Sequence, residues 1–384
     1  MQMLSSSFGL DPRAPRVVAH NREVREVLGA FAAGQPLRVP LFCHEWPGQH
    51  GLFAGEIGLD YREYYTDPEV MLWAQLEAAR RRRELPIYDL VLAEAPERWP
   101  IAVDLWPVVA PGWVGCRLLY RKGAVIAHVG LGLSRDECDA LSMPDPRTGG
   151  LLREVQQLWR ALRDHQSEGL VFLGRPVGPV SHGVGTNGLF SLALDVRGPE
   201  LMVDMREAPE FVDRFLRKLA AWIGALEAAW NGEPGPFSAT DHGIDMLSAR
   251  DWERFLAPVI EETNRERGTR PPPALHHCGR GAHLFAMIRR RFGLTDINTL
   301  TYPLIDVARV RRELGERVTV TAMIEDAIIR QGPPERIREV VRELMNSGAK
   351  GTGGFAMMVG DMLPGTPIDH RLALYEAVRE YGGY

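Results

Sequence analysis

The chain has 384 residues, 45% hydrophobic and 25% charged, which is globular composition with length enough for a large core. Acidic residues outnumber basic ones, 50 to 45, for a net charge of −5, and this argues against a nucleic-acid surface even though only three of the basic residues are lysine. The four cysteines, Cys43, Cys116, Cys138 and Cys278, are too few and too scattered for a disulfide framework. The opening MQMLSSSFGLDPRAP lacks the charged and apolar regions of a secretory signal, and no uninterrupted apolar run reaches the ~18 residues of a membrane-spanning helix. The expectation is a cytoplasmic protein of a reducing compartment, with small molecules rather than nucleic acid or membrane as partners.

Along the chain, the first 35 residues are polar and Arg-rich and are expected to wrap the surface. A short strand follows over residues 38–42, ending in Cys43, His44 and Glu45, three polar groups in a row that make a pocket wall. A helix starts after Asp67, which caps it, with Pro68 in the first turn and Val70, Met71, Trp73, Ala74 and Leu76 behind. Residues 95–150 are rich in Pro, Trp and Gly and read as an elaboration holding one strand or hairpin.

From residue 150 onward, apolar runs at 170–173, 236–240, 274–278, 296–300, 318–323 and 354–359 alternate with helical stretches. The helices are expected near 150–167, 209–230, 248–268, 281–291, 306–314, 334–347 and 367–381, several of them entered through Pro or Ser starts. Such alternation implies parallel β/α units with right-handed crossovers. With the early strand added, a (β/α)8 TIM barrel is the economical fold, and a doubly wound open sheet is the rival. Residues 1–150 would supply the first barrel strand and a pocket-covering elaboration, and residues 151–384 the barrel proper.

The segment Pro271 to Gly279 is the most informative chemically. Three prolines lead into a short strand on which side chains alternate, so His276 and Cys278 share a face and His277 takes the other. In a parallel barrel the strand C-termini face the active site. An imidazole and a thiol on one face suit a divalent metal, zinc above all, which would lower the pKa of a thiol substrate. The structural alternative is a buried cysteine beside a hydrogen-bonded histidine. Asp241 and His242 close the run at 236–240 and suit general acid–base work, against a helix-entry aspartate beside a solvated histidine. Asp361 sits just past the last strand on the same rim, as a ligand or as a turn former.

Gly183 to Gly188 matches G-x-G-x-x-G, but the two prolines in residues 175–179 make a poor central strand before it. Dinucleotide binding is therefore disfavoured.

Several stretches resemble the uroporphyrinogen decarboxylase superfamily, which includes corrinoid-linked, zinc-dependent methyltransferases that use coenzyme M. They are Asp204 to Val212, Asp241 with Leu247 to Pro258, Leu275 to Gly279, and Val359 to Pro367. The resemblance covers residues 170–384 well and 38–80 more weakly, and implies a (β/α)8 barrel with its site at the strand C-termini. The first strand ends in Phe42-Cys-His-Glu-Trp-Pro47 rather than in the Arg-rich substrate motif of the decarboxylases. On the methyltransferase side, the resemblance implies zinc held by His276 and Cys278, with Thr301 and Asp361 standing where an acid and a second cysteine are expected. The family's Gly-Asn further on is altered to Ala322-Met323.

The leading expectation is thus a metal-dependent, methyltransferase-like barrel enzyme. His276, Cys278 and Asp361 would hold the metal, Asp241 and His242 would handle protons, and Cys43, His44 and Glu45 would line the substrate. A corrinoid methyl donor would be carried by a separate protein, because no Asp-x-His-x-x-Gly cobalamin segment is evident. A metal-free decarboxylase or lyase acting on a carboxylated small molecule is the enzyme alternative, and a non-catalytic binding protein on a decayed site is the other.

Overall fold

The structure is a computed structural model and describes residues 5–43, 58–120, 125–359 and 365–384. Its strands, in chain order, are β1 Leu41–Cys43, β2 Trp99–Ala102, β3 Arg117–Leu119, β4 Ala127–Val129, β5 Val171–Phe172, β6 Arg175–Ser181, β7 Ala274–His276, β8 Asp296–Tyr302, β9 Thr319–Ile324 and β10 Phe355–Val359. Five of them form one parallel sheet in the order β1-β10-β9-β8-β7. β10 is buried along its whole length, and β9 is buried beyond Thr319. Continuous apolar runs of this kind are what a parallel strand needs when both of its faces are covered. β2 pairs parallel with β6. Residues 236–240 lie between β6 and β7 without joining the ladder. Thr240 Oγ1 accepts the backbone N–H of His276 at 3.1 Å, and the Asn264 amide exchanges hydrogen bonds with both backbone groups of Phe237, at 3.0 and 2.9 Å. Counting that segment, β1, β2, β6, 236–240, β7, β8, β9 and β10 make the eight strand positions of a (β/α)8 barrel.

Helices pack outside. The expected helices are found at Leu152–Ser167, Pro209–Asn231, Ala282–Phe292, Val307–Leu314, Pro334–Asn346 and Ile368–Tyr381. The stretch near 248–268 forms Ala249–Asp251, a π-turn over Trp252–Leu256 and Ala257–Glu266. The helix Pro68–Arg82 starts as its sequence implies, with Asp67 Oδ1 accepting from the N–H groups of Glu69 and Val70 at 2.8 and 3.3 Å. Among the described residues, no helix is long and apolar enough to cross a membrane.

Three expectations are corrected. The first 35 residues are not a simple surface wrap, since Pro15–Ala32 is a helix burying Val17, Asn21, Val24 and Val27. The polar Asn21 interrupts an otherwise legible apolar stripe, and it is there because its amide exchanges two hydrogen bonds with the backbone of Leu92, at 3.0 and 2.7 Å. The Pro/Trp/Gly-rich stretch does hold the hairpin β3–β4, but it also supplies β2, a barrel strand, so residues 1–150 contribute two barrel strands. The third barrel strand is not the run at 170–173, which only forms the short hairpin partner β5. It is β6, despite Pro176 and Pro179. Three steps on β6, Val177 to Val180, oppose two on β2, Trp99 to Ile101, so β6 bulges where Gly178 and Pro179 sit. A bulge leaves a residue out of the ladder, where a missing N–H costs nothing.

The two ends of the chain are tied to the barrel by one buried carboxylate. Asp89 takes the Arg38 guanidinium in a two-point contact at 2.9 and 2.6 Å. It also accepts the Leu41 N–H at 2.7 Å and the Tyr375 hydroxyl at 3.0 Å. β1 is thereby fixed against the C-terminal helix. Asp89→Ala should cost roughly 3–5 kcal/mol, because it leaves a buried guanidinium with Glu23 as its remaining carboxylate partner and a buried N–H without an acceptor. Denaturant unfolding measures this, and a loss below about 1 kcal/mol would show that the network is dispensable.

Candidate functional site

The site is built at the C-terminal ends of the strands, beginning with Asp241. Its backbone is extended, its carboxylate is buried, and it stands just past residues 236–240. Oδ2 accepts the N–H of Phe190 at 2.5 Å, and Oδ1 accepts the N–H and hydroxyl of Ser191 at 3.1 and 2.7 Å and the N–H of Gly243 at 2.9 Å. Phe190 and Ser191 are in the first turn of the helix Leu189–Arg197, so an anionic group here meets unsatisfied donors and the positive end of the helix dipole. Burial pushes the Asp241 carboxyl up to about 6, while Ser191, Gly243 and Phe190 pull the other way.

The glycine-rich loop belongs to the same construction. It does stand between a strand, β6, and a helix, contrary to the sequence expectation. Gly188 has φ of +120°, and a Cβ there would lie 2.3 Å from Asp241 Cγ. Gly183 has φ of +64°, and a Cβ there would lie 2.0 Å from the carbonyl oxygen of Val103. These glycines are needed for close packing, and the helix start that a phosphate would use is taken by Asp241.

Asp241 also reaches the next unit. Its carbonyl accepts Nδ1–H of the buried His277 at 3.0 Å, and His277 Nε2 in turn accepts the N–H of Gly281 at 3.0 Å. Both ring nitrogens of His277 are thus in use, and burial pushes its pKa down, holding it neutral. A Cβ on Gly281 would meet His277 Nε2 at 2.6 Å, so this glycine is the seat of the ring. His277 anchors the turn after β7, and the alternation expected of the strand sends its neighbours His276 and Cys278 to the other side.

There, His276 Nε2 and Cys278 Sγ lie 3.2 Å apart. His276 Nδ1–H donates to Asn298 Oδ1 at 2.7 Å. With the proton on Nδ1, Nε2 presents its lone pair towards Cys278. The His242 ring stands 5.3 Å from the His276 ring and 6.2 Å from that of Trp106, so residues at or just past the ends of β2, the 236–240 segment and β7 are brought together. Asn298 was not singled out in the sequence. Only its place on β8, in register with His276, makes it a partner, and an Asn inside an apolar run carries no motif.

The other expected site residues are placed as follows. Cys43 ends β1, half-buried and in register with Val359 of β10. His44, Glu45 and Asp361 lie outside the described residues. Thr301 is buried, three residues past Asn298 on β8. Burial pushes the thiols of Cys116 and Cys138 up to about 12 and about 11, which suits inert packing residues. Among the described residues, no group of three His, Cys, Asp or Glu side chains could hold a metal ion.

The residues that are present fit two positions of a zinc site. A tetrahedral zinc with Zn–N near 2.0–2.1 Å and Zn–S near 2.3 Å keeps those two donor atoms roughly 3.5 Å apart. His276 Nε2 and Cys278 Sγ are a few tenths of an ångström closer than that, a shift that an exposed cysteine side chain can absorb. The bond from Nδ1–H to an amide oxygen is the outer support that a ligating imidazole ordinarily has.

Asp241→Ala should destabilise the protein by roughly 2–4 kcal/mol at neutral pH, because it leaves the helix-start donors buried without an acceptor. The folded-state pKa of about 6 is above the ordinary value of 3.8, so this group's stabilisation is greatest below the unfolded value and declines as pH rises through 6. The wild-type margin over Asp241→Ala should therefore widen by up to about 3 kcal/mol as pH falls from 7 to 4. A margin that narrows instead would mean that the donors outweigh burial and hold the carboxyl below its ordinary value.

Comparison with known proteins bears on the family and the fold. Residues 26–381 match the family model described as Uroporphyrinogen decarboxylase (URO-D). No curated protein matches the chain. Among solved structures, a methyltransferase from Methanosarcina mazei shares the fold, with a TM-score of 0.63 and 16% identity over 93% of this chain and 98% of that one. The match spans nearly the whole chain, both barrel strands of the N-terminal segment included, and the chain belongs to the uroporphyrinogen decarboxylase family.

Proposed function

We propose that this chain is a methyltransferase-like enzyme of its family, which activates a small-molecule thiol to receive a methyl group. The observation that carries the reading is the convergence of His276 Nε2 and Cys278 Sγ at 3.2 Å, with the opposite nitrogen of His276 tied to Asn298. A family relationship and a shared fold with a methyltransferase support the choice of reaction. His276 and Cys278 would hold a divalent metal, zinc by preference, with Asp361 as a further ligand from the end of the last barrel unit. Bound there, the metal would lower the pKa of a substrate thiol so that the thiolate predominates at neutral pH.

This chain's own groups have distinct tasks. His242, set beside His276, receives the proton that the substrate thiol gives up. Asp241 works through the fold. Its carboxylate secures the helix behind the site, and its backbone carbonyl secures His277, so that His242 and His276 keep their mutual placement. Cys43, at the end of β1, would line the substrate together with His44 and Glu45, the next two residues of the sequence. In the transfer itself, the thiolate sulfur forms a bond to the methyl carbon, the bond from methyl to donor breaks, and its electron pair stays with the donor. A corrinoid held by a separate protein is a donor of that kind.

Metal content gives the first test. Protein prepared without tag or chelator should hold about one divalent metal per chain, and Cys278→Ser or His276→Ala should lose most of it. A panel of thiols with methylcobalamin as donor should yield methyl thioethers, at least ~100-fold more slowly with either variant. Metal-free wild-type protein, or release of carbon dioxide from a polycarboxylate without metal, would overturn the reading in favour of the decarboxylase alternative.

A further inference from the structure

Asn298 sits at a place where β8 is deliberately irregular. Ile297 and Leu300 pair with Val320 and Ala322 of β9, so three steps on β8 oppose two on its neighbour. The extra residue falls at Asn298-Thr299. Thr299 has φ of +65°, a left-handed conformation that β-branched residues avoid. Such a backbone is strained and persists only where the surroundings impose it. Its consequence is local. The Thr299 hydroxyl donates to the carbonyl of Asn298 at 2.6 Å, and Asn298 Oδ1 is delivered to His276 Nδ1 at 2.7 Å.

The amide is itself oriented. Asn298 Nδ2 faces Asp296 Oδ1 at 3.4 Å, and a carboxylate oxygen favours the amide nitrogen over the amide oxygen. Asp296, Asn298, His276 and Cys278 therefore form one directed chain, carboxylate to amide to imidazole to thiol. Thr299 Oγ1 also approaches His276 Nδ1, at 3.5 Å, but its proton is committed to the Asn298 carbonyl.

We propose that Asn298, oriented by Asp296, is the positioning residue that fixes the Nδ1–H tautomer and the ring direction of His276, and so sets the strength with which His276 binds metal. The inference rests on the reading of His276 as a ligand, yet its central claim concerns the metal-free protein. An amide oxygen can accept the imidazole Nδ1–H but offers no proton in return, so in the neutral ring the lone pair of Nε2 is aimed at one point. Without that acceptor, the ring is free to exchange tautomers and rotate about its bond to Cβ, and the entropy of ordering it falls on metal binding.

The experiment uses the full chain labelled with nitrogen-15 at histidine, as wild type, Asn298→Leu, Asn298→Asp and Asp296→Asn. Two-bond nitrogen–proton correlation reads the His276 tautomer in metal-free protein, and His276→Ala assigns the signal. The wild type should show the Nδ1–H form alone. Asn298→Leu, close in size but without an acceptor, should show a mixture dominated by Nε2–H. Asn298→Asp restores the acceptor and should restore the Nδ1–H form. Asp296→Asn should shift the population less than Asn298→Leu. Competition against a chelator then reads zinc affinity, which should fall about 10–100-fold in Asn298→Leu and recover in Asn298→Asp. A wild-type ring in the Nε2–H form, or an unchanged tautomer in Asn298→Leu, would overturn the proposal. If the tautomer changes as expected but even the wild type binds no zinc, the positioning role stands, the effect on metal affinity falls, and so does the metal-site reading. A folded-state check by thermal unfolding accompanies each variant, and if Asn298→Leu fails to fold, Asn298→Ala, which also removes the acceptor, takes its place, while a wild-type ring in the Nε2–H form overturns the proposal without any variant.

Discussion

The rest of the site depends on one buried carboxylate at the start of one helix. Asp241 is stabilised by neutral donors rather than by a cation. It is held by backbone N–H groups of Phe190, Ser191 and Gly243 and by the Ser191 hydroxyl. Three consecutive barrel units meet there: the helix after β6, the segment that ends in Asp241, and, through the Asp241 carbonyl, the turn after β7 that carries His277. A helix N-terminus can stabilise an anion that burial alone would neutralise, because its dipole and its unsatisfied donors point at one place. The cost is tight packing, and it is met by glycine. Gly188 lies against Asp241 and Gly281 against His277 so closely that neither position has room for a Cβ.

Chemistry and scaffold then separate cleanly along a single strand end. His277 faces inward with both nitrogens engaged, and its role is to hold the backbone. His276, one residue earlier, faces the opposite way with one nitrogen supported by Asn298 and the other aimed at Cys278. Two histidines that look equivalent in the sequence therefore differ in kind, since burial pushes the pKa of one down and the other turns Nε2 towards a thiol. The same division appears at the far edge of the sheet, where Asp89 holds β1 against the C-terminal helix so that Cys43 stands in register with Val359.

The regular half of the chain was legible because its signals are local. Capping residues, prolines in first turns and continuous apolar runs marked the helices from residue 150 onward and the strands β7 to β10. Elements whose reason lies elsewhere in the chain were not legible. Asn21 interrupts the stripe of the first helix because it binds the backbone of Leu92, seventy-one positions away. β6 tolerates Pro179 because a bulge against β2 takes Gly178 and Pro179 out of the ladder. β2 itself is only four residues long and holds a proline, and its partner β6 is what makes it a barrel strand.

By itself the sequence determined the fold class, the family and the pairing of His276 with Cys278, because alternating β/α patterning and the period of a strand are local properties of the chain. Only the tertiary structure decided that Asp241 is a buried anion on a helix start, that the glycine-rich loop serves packing, and that Asn298 rather than Thr301 is the neighbour of His276 on β8. Those facts depend on strand register and on a bulge that shifts it. Register is set by contacts between segments far apart in the chain, and a one-residue change in it moves every side chain that follows to a different partner.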